Sequence, residues 1–227
     1  FRRLIISCLS IYNIVMNKEA IIVAVVVLYS FILAGIVWGI MPPMMASHWN
    51  VAGEVDGFAP KALALLAMPV LGLALAGLFW LLPRLDPLKE NIVKFEDVYK
   101  KTVVAIFAFL FYVYILTIAW NLGYSFSLPK FFVPAFAALF FILGQALKKT
   151  KRNWVLGIRT PWTMSSDRVW KKTHDAASKI FTWLGTLTLA SLFFRPEIIF
   201  AVIIGGTLIA ALYLFAYSYL EFRKENR

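Results

Sequence analysis

The sequence predicts an all-α polytopic membrane protein with six transmembrane helices and both termini in the cytoplasm. Three observations predict it. Of the 227 residues, 61% are hydrophobic and only 15% are charged, and the mean hydropathy is +0.77, which does not describe a water-facing surface. Six windows are apolar enough to cross a bilayer core about 30 Å thick, which takes roughly 20 helical residues because lipid cannot satisfy backbone polar groups. The basic residues fall almost entirely on alternate connections between those windows.

In chain order, residues 1–19 are expected to form an N-terminal tail. Within it, Leu4 to Met16 is apolar but too short to span, which suits the interface or a signal-like segment; Met16, before Asn17, Lys18 and Glu19, has the setting of a translation start. Residues 20–82 hold a first helix pair, Ala20–Ile40 and Ala62–Leu82, around an outer loop at 41–61. The cytoplasmic connection at 83–101 has Glu and Lys at helical spacing, as a solvated surface helix does. Residues 102–220 hold the windows Val103–Leu122, Phe131–Leu147, Ala176–Phe194 and Ile198–Leu220, with a cytoplasmic motif loop at 148–175, and 221–227 form a C-terminal tail. Phe131–Leu147 is the shortest window and contains Pro134, so a re-entrant segment is its alternative to a full span. Trp38, Trp80 and Trp120 fall near window ends, where indole rings anchor at the headgroups, and Trp183 falls deeper, where it would pack between helices.

The chain has 23 Lys+Arg against 12 Asp+Glu, a net +11. With the N-terminus inside, 19 of the basic residues lie on the cytoplasmic side and three (Lys61, Lys130, Arg195) outside, while Lys179 lies near the inner end of its helix. Net charge is then +10 inside and zero outside. Membrane orientation and anionic inner-leaflet lipid explain the basic excess, so no nucleic-acid partner is expected. Cys8, the single cysteine, excludes an internal disulfide and a thiolate-rich metal site.

Two loops are richer in specific residues than a connection requires. The outer one, Pro42 to Phe58, carries His48, Asn50, Gly53, Glu54, Asp56 and Gly57. Its prolines end the first helix, and Gly53 and Asp56-Gly57 mark turns, so an ordered but irregular segment is expected. The inner one, Lys151 to Phe181, carries Asn153, Gly157, Arg159, Thr160, Pro161, Trp162, Thr163, Ser166, Trp170 and His174. Ser165 or Ser166 before Asp167 reads as a helix start, and the helix can run on into the fifth window with Trp170, His174, Ala177 and Phe181 on one stripe. Arg159 is framed by apolar and aromatic neighbours; it could pair with Asp167 or Asp175, cap helix carbonyls, or bind a ligand. His174 could sense pH or simply be hydrogen-bonded. An odd number of spans separates His48 from His174, which places them on opposite faces.

The segment NWVLGIRTPWTMSSDRVWKKTHDAAS resembles the signature of the SdpI family, membrane immunity proteins against a sporulation-delaying peptide toxin, through Asn153, Gly157, Arg159, Thr160, Pro161, Thr163, Ser166, Trp170 and His174. The outer loop MPPMMASHWNVAGEVDGFAPK resembles the domain of unknown function that commonly precedes it, and Arg84 to Asn91, RLDPLKEN, is similar to the loop between the two parts. The resemblance implies a cell-membrane protein that confers immunity or resistance to a membrane-active peptide. It also implies signalling by holding a transcriptional repressor at the membrane.

No nucleotide-binding glycine motif, zinc-protease motif or serine nucleophile elbow occurs in the sequence, and neither an enzymatic reaction nor a cofactor is expected. The expected partners are the lipid bilayer, a peptide toxin on the outer face and a repressor on the inner face. Two other classes stand beside this reading: a membrane metal-dependent hydrolase using His48, Glu54 and Asp56, and a small-molecule transporter, for which buried charge is scarce.

Overall fold

A computed structural model describes residues 18–225. The expected interfacial segment 4–16 and the candidate start at Met16 lie outside the described residues. Among the described residues, six long helices form the bundle. They are α1 (Lys18–Val37), α2 (Lys61–Leu85), α4 (Glu96–Asn121), α5 (Leu128–Lys149), α7 (Asp167–Ser191) and α8 (Pro196–Glu225), the last carrying a π turn at Ala201–Gly205. Two short helices, α3 (Lys89–Val93) and α6 (Pro161–Ser165), lie in the connections.

Five of the six long helices have the length and apolar composition to cross a membrane, and α7 does not. Its first half, DRVWKKTHDAASK, is polar. The apolar remainder from Ile180 to Ser191 rises only about 18 Å, short of the roughly 30 Å core. The six-window expectation therefore meets six helices but five membrane-length apolar ones. Phe131–Leu147 lies within the continuous 22-residue α5, about 33 Å long, and Pro134 does not break it. Such prolines are tolerated where neighbouring helices satisfy the freed carbonyl.

The buried residues of α1, Val23, Val27, Ser30, Ala34 and Val37, recur at alternating steps of four and three, the spacing of a helix seam. Ile21, Val25, Leu28, Ile32 and Ile36 stay exposed on its other side, as lipid requires. This seam packs on α2 and α4, where Leu65, Tyr114 and Ile118 join Ala34 and Val37 in one core and the Tyr114 hydroxyl donates to the Leu65 carbonyl (2.9 Å). A second core, with Val133, Phe140, Leu184, Ile199 and Ile203, joins α5, α7 and α8. Trp183, expected between helices, is 68% exposed on α7, because the stripe that α7 turns to the bundle carries Leu184 and Gly185 instead.

The outer loop corrects the all-α expectation. Met44–Trp49 (β1) and Val55–Pro60 (β2) pair as an antiparallel hairpin in place of the irregular segment, with Met44 opposite Pro60 and Trp49 opposite Val55. Met45 anchors it by burial in the core with Leu65 and Tyr114. Asn121, at the end of α4, takes the place of a third strand. Its Oδ1 accepts from Ala46 N–H (2.8 Å) and its Nδ2 donates to the Ala46 carbonyl (3.0 Å).

Candidate functional site

At the hairpin tip, Asn50 Oδ1 accepts from the backbone N–H groups of Ala52 and Glu54, and Gly53 adopts φ 84°, a value that favours glycine. His48 Nδ1 lies 2.5 Å from Asp56 Oδ1, and both side chains are exposed. Glu54 turns instead to Asn50 Nδ2, 3.2 Å away. His48, Glu54 and Asp56 thus do not converge on one point, and no group of three potential metal ligands occurs among the described residues.

The motif loop is built differently, because nearly every motif residue closes the loop on itself. Asn153 is wholly buried. Its Oδ1 accepts from the N–H groups of Val155 (2.8 Å) and Leu156 (2.7 Å), and its Nδ2 donates to the carbonyls of Lys151 (2.6 Å) and Leu156 (2.9 Å). Thr160 and Thr163 form a capping box on α6, where Pro161 takes the first position and gives up no hydrogen bond. Ser166 caps α7 by accepting from Val169 N–H (3.2 Å). Trp162 leaves the loop and packs edge-on against Phe215 and obliquely against Tyr219 of α8.

Trp170 and His174 stack with ring centroids 4.0 Å apart, and both are buried. The Ile158 N–H donates to His174 Nε2 (2.9 Å), so the proton of the neutral ring sits on Nδ1, which donates to the Trp170 carbonyl (2.7 Å). His174 lies in the polar first half of α7, outside the apolar stretch. Burial pushes its pKa down to about 4, against smaller opposing effects of the Trp170 carbonyl and Asp175. It is therefore a hydrogen-bonded neutral strut at neutral pH. Gly157, at φ 142°, lies directly against this pair. A Cβ there would stand 2.6 Å from His174 Nε2 and 2.7 Å from the Trp170 ring.

Arg159 stays exposed at the surface of the loop. Its Nη1 donates to the Trp154 carbonyl, and Asp167 and Asp175 are taken by Arg152 (2.9 Å) and Lys171 (2.7 Å). Of the alternatives open to Arg159, the ion pair with either acid is not what forms; its guanidinium goes to a backbone carbonyl instead.

Residues outside the motif complete the site. Buried Asp86 accepts from Trp154 N–H (2.8 Å) with one oxygen and from Leu88 N–H (2.7 Å) with the other. Asn91 Nδ2 donates to the Arg152 carbonyl (2.9 Å). From α8, Ser218 Oγ lies 3.0 Å from Thr160 Oγ1, Glu221 pairs with Lys172 (2.5 Å), and Glu225 accepts from the Ser166 hydroxyl (2.6 Å). The connection 83–101, the motif loop and the end of α8 thus share one end of the bundle. Tyr99, in the second turn of α4, joins the apolar cluster that Val155 and Leu156 pack against, whereas Asn121 at the other end of α4 holds the hairpin. The 26 residues of α4 separate the two loops by about 39 Å.

This arrangement defines a multi-pass membrane protein with a small hairpin at one end and a closed polar loop at the other. Residues 149–218 match the SdpI/YfhL protein family, and residues 25–73 match a domain of unknown function, DUF1648. The SdpI-type region and the domain before it are therefore both present, in the order expected. The chain is 26% identical over 209 residues to the "Immunity protein SdpI" of Bacillus subtilis (strain 168), covering 92% of this chain and 98% of that protein. No solved structure matches the chain.

Proposed function

We propose that this cell-membrane protein confers immunity to a membrane-active peptide toxin without catalysing a reaction. The carrying observation is the similarity to the SdpI immunity protein, which spans both family regions. Basic residues concentrate at the motif end, so by the positive-inside rule that end and both termini face the cytoplasm and the hairpin faces outward. This makes the 25-residue α7 the sixth crossing, its polar first half packed against protein and only its apolar remainder meeting lipid. In this reading His48, Asn50, Gly53, Glu54, Asp56 and Gly57 present the surface that meets the peptide. The closed motif loop presents Arg159 and the exposed Trp154 to a cytoplasmic partner, a repressor held at the membrane, while the other motif residues keep that surface in shape.

Expression in a peptide-sensitive host tests the reading. Wild type is expected to raise survival, and Arg159→Ala is expected to reach the membrane in equal amount but to protect less. Unchanged killing at matched wild-type expression refutes the immunity role, and full protection by Arg159→Ala removes Arg159 from the site.

A further inference from the structure

Near the end of α2, the Arg84 guanidinium lies 3.9 Å over the Trp80 ring, and Nη1 donates to the Trp80 carbonyl. Nη2 is shut away from solvent without a hydrogen-bond partner. The other charges at this place are matched: Lys100 pairs with Glu96, and Glu19 lies 3.9 Å from Lys18. Among the described residues, Arg84 has no acidic partner.

Directly beneath it, a crevice of about 340 Å³ opens between α1, α2 and α4, walled by Val23, Ala24, Ala76, Gly77 and Val103. Gly77 has nothing within 4 Å of where a Cβ would stand. An unmatched cation above a hydrocarbon-lined slot has the polarity of a phospholipid read from headgroup to chain. The excess of basic residues at this end of the bundle concentrates anionic lipid in the adjoining leaflet.

We propose that the crevice holds an acyl chain of an anionic phospholipid from that leaflet, with Arg84 turned from Trp80 onto the lipid phosphate. A zwitterionic headgroup carries its own cation and so gains less from the unmatched guanidinium. The site is independent of any toxin and requires only that the protein reside in a membrane.

Full-length protein in nanodiscs of equal phosphatidylglycerol and phosphatidylcholine, released and weighed by native mass spectrometry, tests this. Wild type is expected to retain phosphatidylglycerol over phosphatidylcholine by about five-fold, the scale of one basic side chain against anionic lipid. Arg84→Ala is expected to lose the preference and Arg84→Lys to keep it. Gly77→Leu, which fills the slot, is expected to lose retained lipid of both kinds while melting with wild type. Equal retention of the two lipids by wild type overturns the proposal, as does unchanged phosphatidylglycerol retention in Arg84→Ala or in Gly77→Leu.

Discussion

Gly157→Ala places one methyl group where the motif loop is tightest. The new Cβ would lie 2.6 Å from His174 Nε2 and 2.7 Å from the Trp170 ring, distances that real Cβ contacts do not reach. His174 cannot retreat easily, because its Nδ1–H is held by the Trp170 carbonyl on its own helix. The Ile158 N–H would therefore lose its acceptor, and an unmatched buried donor costs about 1 to 3 kcal/mol. Holding alanine at φ 142° adds about 1 to 3 kcal/mol of backbone strain. The expected loss is about 3 to 5 kcal/mol, read as a lower melting point of detergent-purified protein by tryptophan fluorescence. A variant within about 0.5 kcal/mol of wild type refutes the reasoning. So does strict additivity with His174→Ala, since removing the ring should relieve part of the clash and make the pair couple by about 1 to 2 kcal/mol.

Three further outcomes follow from the same contacts. His174 is held neutral with its pKa pushed down to about 4, below the roughly 6.5 of an unfolded histidine. Its contribution of about 3 kcal/mol is therefore fully present above about pH 6.5 and lost as pH falls towards 4. Melting against pH checks this, with His174→Gln expected to flatten that window. Asp86→Ala strands the Trp154 and Leu88 N–H groups and should cost about 2 to 4 kcal/mol, more than Asp86→Asn, in the same melting assay. Asn121→Leu removes both partners of Ala46, so amide hydrogen exchange at Ala46 should accelerate about tenfold or more while the motif loop's amides keep their protection.

Much of the bundle was legible because lipid imposes one rule on every window, and apolar length alone obeys it. α7 departs most from its window, since its start at Ser166-Asp167 is a local capping signal whereas its apolar length depends on where packing takes over from lipid. The hairpin escaped for a different reason. Its turn, Asn50 to Gly53, is not a two-residue Asn-Gly type, its register is interrupted around His48, and its third partner is a side chain 75 residues away. In the motif loop the residue types were legible, but their roles emerge only from the fold. Asn153, Thr160, Thr163 and His174 look like ligands in a list of polar residues, yet each faces backbone groups that the loop itself leaves unmatched. Asp86 lay outside the motif, and a single carboxylate before a proline gives no hint of a bond spanning 68 residues.

The partners of the motif loop also impose an order in time. Asp86 and Asn91 precede it in the chain, so the loop can dock against the first helices as soon as it leaves the ribosome. Ser218, Glu221 and Glu225 follow it and leave the ribosome later. Until α8 inserts, Thr160, Ser166 and Lys172 have no α8 partners and Trp162 has no wall to lean on. A nascent chain stalled before Ser218 thus holds a half-closed loop, and completing α8 is the event that sets the Arg159 surface in its final form.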